Sequence, residues 1–357
     1  MLTIRSHSHD YSVDEYPSLR AALESVLRSK GTLFLIDEAV LRNYADAFDG
    51  LVPEEKRIVI KASEEQKSFE RLTPVFLDLL ARGLKRDGLL VVVGGGVLQD
   101  IGCFIATVLF RGVRWELIPT TLLAQADSCI GSKSSINIGS YKNQIGTFYP
   151  PHRVLLVGEV LRSLPWDEIR SGLGEVIKLQ LIAGESGFNE LMSDLNSVPP
   201  EGDWAVISKW VRRSMAVKIP YIEEDESDRG IRNILNYGHT FGHAYESATK
   251  YAIPHGIAVL LGILTATYLS VRLGLVPASH YLELKKQLMS WCHPYQAALA
   301  NADRDAIFKA IRHDKKNTGD TVNCILTRGV GHMEKMKVDF LGDLVPAVGE
   351  FIEREVG

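Results

Sequence analysis

The sequence is short of several things, and each shortage removes a class of protein. Its 357 residues hold four cysteines, Cys103, Cys129, Cys292 and Cys324, far apart and never as CxxC. Scattered single cysteines argue against a disulfide framework or a cysteine-based zinc finger, and fit a reducing cytosol where they pack as small apolar groups. Neither sign of charge dominates: 40 Lys and Arg against 44 Asp and Glu leave −4. That excludes a chain whose main work is to coat nucleic acid or an anionic membrane. Low-complexity tracts and internal repeats are absent, and 46% hydrophobic content excludes a disordered chain. The opening MLTIRSHSHD lacks the apolar stretch of a signal peptide, so a cytoplasmic location is expected. The longest apolar run, GIAVLLGILTATYLSV, has 16 residues. It is short for a membrane span and carries hydroxyl side chains, so it reads as a buried core helix.

What is present is a globular chain with about two domains, taking roughly 100–200 residues per domain. In the first part, TLFLI at 32–36, RIVIK at 57–61, LLVVV at 89–93, WELIP at 115–119 and RVLLV at 153–157 read as strands. Amphipathic stretches at 15–28 and 68–83 lie between them. Continuous apolar strands alternating with helices imply a parallel sheet covered on both faces, which binds ligands beyond the carboxyl ends of its strands. After Leu161 the period changes to helical, over 166–183, 205–220, 239–249, 255–273, 278–291 and 303–312. The expected organisation is an α/β nucleotide-binding domain over 1–161 and a mostly α-helical, metal-binding domain over 162–357.

Five segments carry chemistry. VVVGGGVLQD, 91–100, runs an apolar strand into Gly94, Gly95 and Gly96 and then a helix. Such a turn lets backbone approach a phosphate at a helix N-terminus, although a dehydrogenase GxGxxG is missing. PTTLLAQADSCIGSKSSINIGSYKNQIGTFYP, 119–150, gathers Thr120, Thr121, Asp127, Lys133, Lys142 and Asn143 among glycines, which suits a phosphorylated ligand. In GLGEVIKLQL, 172–181, Glu175 and Lys178 share one helix face between apolar residues, so they are paired or ligating. NYGHTFGHAYE, 236–246, with PHGIAV, 254–259, supplies His239, His243 and His255. Three histidines with Glu175 can furnish three ligands and an open position, the form of a catalytic zinc site; the spacing leaves open which two histidines bind, although helical geometry alone favours His239 with His243. HExxH fails, because Thr240 stands at its glutamate position. RHDKKNTG, 312–319, adds a lysine pair before a turn.

Together these motifs resemble the 3-dehydroquinate synthase family of sugar-phosphate cyclases. The resemblance runs from Asp37 to the 314–316 region, on GGGxxxD, PTTLLAQxD with a lysine six residues on, KNxIGxFYxP, EVIK, NYGHTFGHAxE and HGxAV. It implies NAD, a divalent metal (zinc or cobalt), a homodimer, and cyclisation of a seven-carbon sugar-acid phosphate with loss of phosphate. In that reaction NAD is transiently reduced and then restored before an intramolecular aldol closure. It further implies Glu175, His239 and His255 as metal ligands and His243 as acid/base. Asp127 and Lys178 orient substrate hydroxyls, and Lys133, Asn143, Asn236 and one of Lys315 or Lys316 hold phosphate. Arg111 reaches a neighbouring subunit's phosphate, and Lys218 and Arg232 hold the carboxylate. Asp37, Glu64, Lys67, Gly95, Gly96, Asp100, Thr120, Thr121 and Lys142 contact NAD.

Arg232 favours 3-deoxy-D-arabino-heptulosonate 7-phosphate, because its planar fork matches a carboxylate that neutral sugar phosphates lack. The alternatives are a cyclase acting on an amino analogue or on sedoheptulose 7-phosphate, or a metal-dependent polyol dehydrogenase. Ser132, Ile257, Asp228 and Ser63 depart from the family pattern, while every expected catalytic position is filled.

Overall fold

The computed structural model describes residues 2–29, 31–139, 141–197, 203–312 and 320–356. It divides into two compact units, Met1–Pro165 with Ile219–Ser227, and Trp166–Lys218 with Asp228–Gly357. This differs from a single cut after residue 161 in two ways. The turn Gly158–Ser163 stays with the first unit, and so does the excursion 219–227. Ser6 Oγ and His7 N donate to Glu226, at 2.7 Å each, and Arg5 pairs with Glu223, so N-terminal residues bind that excursion. A periodicity reading along the chain has no means of seeing such a tie.

The first unit is built on a seven-stranded sheet. Its strands are β1 (Leu2–Ile4), β2 (Tyr11–Tyr16), β3 (Thr32–Asp37), β4 (Arg57–Ile60), β5 (Leu89–Gly94), β6 (Arg114–Pro119) and, after a two-stranded ribbon of β7 (Ile136–Ile138) and β8 (Tyr141–Ile145), β9 (Arg153–Val157). The order is β1-β2-β9-β6-β5-β3-β4, parallel throughout except β1 against β2. The five apolar runs of the sequence are β3, β4, β5, β6 and β9, of which β4 is an edge strand of the sheet. β5 is buried along its whole length because helices cover both its faces. β1 and β2 escaped the sequence reading, since β2 alternates polar and apolar residues and β1 has only three. The helices here include α1 (Leu19–Val26), α2 (Phe69–Ala81) and α3 (Gly96–Val108). Ser18 caps α1 by accepting from Ala21 N, and Leu19, Ala22, Leu23 and Val26 bury its one apolar face.

From β3 the chain steps outward to β4 and then back across to β5. The direction of winding reverses there, so β3 and β5 flank the switch point where such sheets bind ligands.

The second unit is helical: α4 (Trp166–Ala183), α5 (Glu185–Ser197), α6 (Trp204–Glu224, whose residues pass to the first unit after Lys218), α7 (His239–Ala248), α8 (His255–Arg272), α9 (Ala278–Cys292), α10 (Arg304–Arg312) and α11 (Val345–Phe351). An antiparallel hairpin, β10 (Thr321–Thr327) with β11 (Met333–Asp339), completes it. α8 is the apolar run of the sequence. It is the one described helix long and apolar enough to cross a membrane, and 78% of that stretch is buried inside the structure. Around it α4, α7, α9 and α11 pack.

Glycine sets how closely they pack. A Cβ added to Gly256 in α8 would collide with the Ser171 carbonyl oxygen of α4, and one on Gly174 in α4 with the Gly256 carbonyl. A Cβ on Gly242 in α7 would fall 2.9 Å from the Ala258 carbonyl oxygen. Gly238, at φ +82°, caps the start of α7 in the left-handed region and would place a Cβ 2.6 Å from the Val259 carbonyl oxygen. Neither backbone can yield without parting the helices.

Two alanine variants test this packing. Gly256→Ala is expected to cost about 3 kcal/mol or more in a denaturant titration, at the upper end of overpacking. Gly349→Ala, where an added Cβ meets nothing within 4 Å, is expected to be neutral or to gain up to about 1 kcal/mol. Equal effects in the two variants would contradict the account.

Candidate metal centre and cofactor turn

In the second unit, the glycines just described stand next to the chemistry. Gly174 precedes Glu175, Gly238 precedes His239, Gly242 precedes His243 and Gly256 follows His255. Close helix contact at each glycine therefore brings the neighbouring side chains to one place. His239 and His255 are the first residues of α7 and α8, and Glu175 lies in mid-α4. His239 Nε2 is 3.5 Å and His255 Nε2 3.1 Å from the same oxygen, Glu175 Oε1. Lys178 Nζ is 2.5 Å from the other oxygen, with Lys178 2% and Glu175 1% exposed. One imidazole nitrogen from each of His239, His243 and His255 lies within 4.8 Å of the other two.

Two further contacts fix the rings. His239 Nδ1 is 3.3 Å from the Tyr237 carbonyl oxygen, and His255 Nδ1 is 3.1 Å from Glu246 Oε2. These contacts fix each ring with its Nε2 directed at Glu175, the nitrogen that offers a lone pair to a metal only once its proton is lost. Burial alone would push the His255 imidazolium down. The hydrogen bonds and charges of Glu175 and Glu246 outweigh it and carry the group up to about 10. Burial likewise opposes ionisation of Glu246, yet its bond to His255 and that ring's charge hold it below the usual carboxylate range. A site that retains a proton so strongly, between two carboxylates, has the charge deficit that a divalent cation fills. The donor set fits such a cation: hard carboxylate oxygen and borderline imidazole nitrogen suit zinc or cobalt.

Two more sequence candidates lie on the turn Ile231–Asn236 of this unit. Arg232 is buried, and Asn236 Nδ2 donates to the Asn233 carbonyl at 3.2 Å. Lys218, in α6, is also buried. Lys315 and Lys316 lie outside the described residues.

The first unit places its candidates at strand ends. Asp37 closes β3 and accepts from Ala39 N at 3.0 Å. Gly95 and Gly96 follow β5 and open α3, whose N-terminus has no side-chain cap. Thr120 and Thr121 follow β6, with Thr120 N bonded to the Gly94 carbonyl at 3.1 Å. A Cβ on Gly95 would sit 2.7 Å from Thr121 Cγ2, so only glycine keeps the two strand ends this close. The open amides of α3 and this cradle fit a dinucleotide phosphate at the switch point.

Beside the turn runs a polar network. Lys67 Nζ is 3.1 Å from Asp100 Oδ2, 3.0 Å from Asn143 Oδ1 and 3.7 Å from Glu64 Oε2. Lys142 Nζ lies 3.7 Å from Glu64 Oε1. Burial pushes the Asp100 carboxyl up, against the Lys67 charge and the Ser135 donors. Asn143, grouped by resemblance with the phosphate ligands, is thus tied to residues of the NAD set. Asp127 sits in a π-helical turn, Ala124–Ser128, of the kind often kept at functional sites. Lys133 is exposed, on a bridge with Phe148. Arg111, at φ +63°, follows α3 on an exposed turn.

Sequence motifs assign no role to Asn137 or to the packing glycines, and Glu246 enters only as the last residue of NYGHTFGHAxE. Asn137 Nδ2 donates to Glu64 Oε1 at 2.9 Å and its Oδ1 accepts from Asn143 N. For Glu246 a signal existed: with His239 and His243 it completes an i, i+4, i+7 face. The glycines were legible as residues that cost helix stability in helix interiors yet were kept.

The fold and the features of its two units define a class: an enzyme with a phosphate-type glycine turn on a doubly wound sheet and a histidine–glutamate cluster on a helical unit. Models of the 3-dehydroquinate synthase N-terminal and C-terminal regions match residues 57–171 and 172–317. A 3-dehydroquinate synthase of Dictyoglomus thermophilum is 38% identical over 288 residues, 79% of each chain. The chain belongs to the 3-dehydroquinate synthase family. Among solved structures, 2-deoxy-scyllo-inosose synthase with carbaglucose-6-phosphate, NAD+ and Co2+ superposes with a TM-score of 0.82 at 23% identity, over 98% of this chain and 99% of the other. A 2-epi-5-epi-valiolone synthase from Streptomyces hygroscopicus, with NAD+ and Zn2+ bound, gives 0.80 at 23% over the same shares. These structures establish the common fold.

The electrostatics make a prediction for the metal-free protein. Raised above its unfolded value, His255 stabilises the fold fully below about pH 6.5 and loses that contribution as pH rises through about 10. Its ring resonances, followed by NMR in the chelator-treated protein, are expected to titrate far above the ordinary histidine range. A midpoint near 6.5 would show that the two carboxylates do not act on this ring.

Proposed function

We propose that the protein is a 3-dehydroquinate synthase, converting 3-deoxy-D-arabino-heptulosonate 7-phosphate to 3-dehydroquinate and phosphate. The observation that carries the reading is the convergence of His239 and His255 Nε2 on one oxygen of Glu175, in a chain 38% identical to a curated enzyme of that name. When bound, the metal supplies acidification of a ligated substrate hydroxyl, and NAD supplies a reversible hydride acceptor.

The chain's own residues then have the following roles. Glu175, His239 and His255 hold the metal. His243 takes up and returns the proton of the reacting hydroxyl. Lys178 and Asp127 orient hydroxyls by hydrogen bonding. Lys218 and Arg232, two cations buried in the helical unit, match the substrate carboxylate, since charge-assisted bonds to planar anions are the strong ones. Lys133, Asn143, Asn236 and the lysine pair 315–316 serve the phosphate. In the first unit Asp37, Glu64, Lys67, Gly95, Gly96, Asp100, Thr120, Thr121 and Lys142 serve NAD. The working form is a cytoplasmic homodimer, with Arg111 directed to the neighbouring subunit's phosphate.

The assay is incubation with the heptulosonate phosphate, NAD+ and Zn2+ or Co2+. The expected result is phosphate release without lasting NADH absorbance. Release only from sedoheptulose 7-phosphate would move the substrate to another cyclase, and lasting NADH from a polyol would move the reaction to a dehydrogenase. Arg232→Ala is expected to lower kcat/KM about 10- to 100-fold, the loss of one charged hydrogen-bonding anchor. Unchanged kinetics would remove Arg232 from the carboxylate site. His255→Ala is expected to lose bound metal and activity together, measured by elemental analysis beside the assay.

A further inference from the structure

We propose that Glu246 is a positioning residue for the metal, holding the His255 ring by Nδ1 and strengthening its Nε2 as a donor through the carboxylate charge. The proposal rests on the reading of Glu175, His239 and His255 as ligands. The two histidines are backed by different chemistry. His239 Nδ1 faces a neutral carbonyl, Tyr237 O, at 3.3 Å. His255 Nδ1 faces an anion, Glu246 Oε2, at 3.1 Å. A neutral acceptor is enough to choose the tautomer and aim the ring, as at His239. A carboxylate does more: it draws on the Nδ1 proton and raises electron density at Nε2, so the metal bond strengthens.

The placement favours that use. Glu246 lies seven residues after His239 on the same face of α7, so the helix that carries one proposed ligand also orients the other. Its side chain is only 12% exposed, which leaves the carboxylate weakly screened by solvent. The alternative role is a plain ion pair joining α7 to the first residue of α8. The two roles predict different things, because an ion pair of that kind acts on stability whether or not metal is bound.

The test uses the full chain, freed of metal by chelation and titrated with Co2+ while its visible absorption is recorded. Wild type, Glu246→Gln and Glu246→Ala are compared at one pH, with folding checked by circular dichroism. Glutamine keeps an acceptor for Nδ1–H and removes only the charge. Co2+ affinity is expected to fall about tenfold in Glu246→Gln and towards 100-fold in Glu246→Ala, with a changed cobalt spectrum. The metal-free melting temperature is expected to fall at neutral pH in both variants, because Glu246 helps to hold the His255 proton there, so the Co2+ affinity is the readout that separates the two roles. A Glu246→Gln affinity within about twofold of wild type overturns the proposal, as does a lowered metal-free melting temperature with wild-type Co2+ affinity. Should Glu246→Ala fail to fold, the glutamine comparison decides alone. No Co2+ uptake by wild type would overturn the metal reading itself, an outcome that needs neither variant.

Discussion

Backbone-to-backbone contact between helices is the constraint on which the catalytic half of this protein depends. α8 touches α4 and α7 so closely that a single added carbon at Gly256, Gly174 or Gly242 meets a carbonyl oxygen. Each glycine adjoins a residue of the centre: Gly174 and Glu175, Gly238 and His239, Gly242 and His243, Gly256 and His255. The side chains that gather there are short of reach, so the helices must come to them. Ordinary interaxial spacing is about 8–10 Å, set by the side chains at the contact, and glycine at the contact lets the backbones approach more closely. Glycine removes that spacing at four points. The cost is helix propensity, about 1 kcal/mol for each interior glycine relative to alanine. The long apolar face of α8, buried among its neighbours, offsets it.

Within that frame the charges are arranged around a deficit. Glu175 and Lys178 form a buried ion pair, which by itself is a poor stabiliser because both groups lose their water. His255, set between Glu175 and Glu246, retains a proton far above the ordinary range. Two carboxylates, one ammonium and a cluster of imidazoles make sense as a receptacle for a cation and a polar substrate, and less sense as a device for stability. The first unit solves a different problem with the same residue. There the glycines after β5 let Thr121 approach and leave the α3 amides open, so anion binding falls to the backbone.

Much of this was legible in the sequence, for reasons that can be named. β3, β5, β6 and β9 were readable because parallel strands covered on both faces are largely apolar, as LLVVV is. Six helices of the second part were readable from their period, each end within four residues, while α5 (Glu185–Ser197) and α11 (Val345–Phe351) were not among them. β1 and β2 were missed because β1 is a three-residue edge strand and β2 mixes polar with apolar residues. The return of 219–227 to the first unit was missed because it rests on side chains more than 200 positions apart, such as Arg5 with Glu223. In the centre, residue types pointed to a metal, while helical geometry alone favoured the i, i+4 pair His239 and His243 and did not decide which two histidines bind. It took the aim of two Nδ1 atoms to show how His239 and His255 are oriented. Glu246 stands in the same helical face, as the last residue of NYGHTFGHAxE, and its role becomes visible only through its contact with His255.

The most direct measurement is anomalous diffraction from crystals of the protein grown with Zn2+ or Co2+ and collected across the metal's absorption edge. The account predicts one anomalous peak per chain, within bonding distance of Glu175, His239 Nε2 and His255 Nε2, about 2.0–2.2 Å from each. A peak bound through His243 in place of Glu175, or occupancy only at sites away from the glycine-packed junction of α4, α7 and α8, would contradict it.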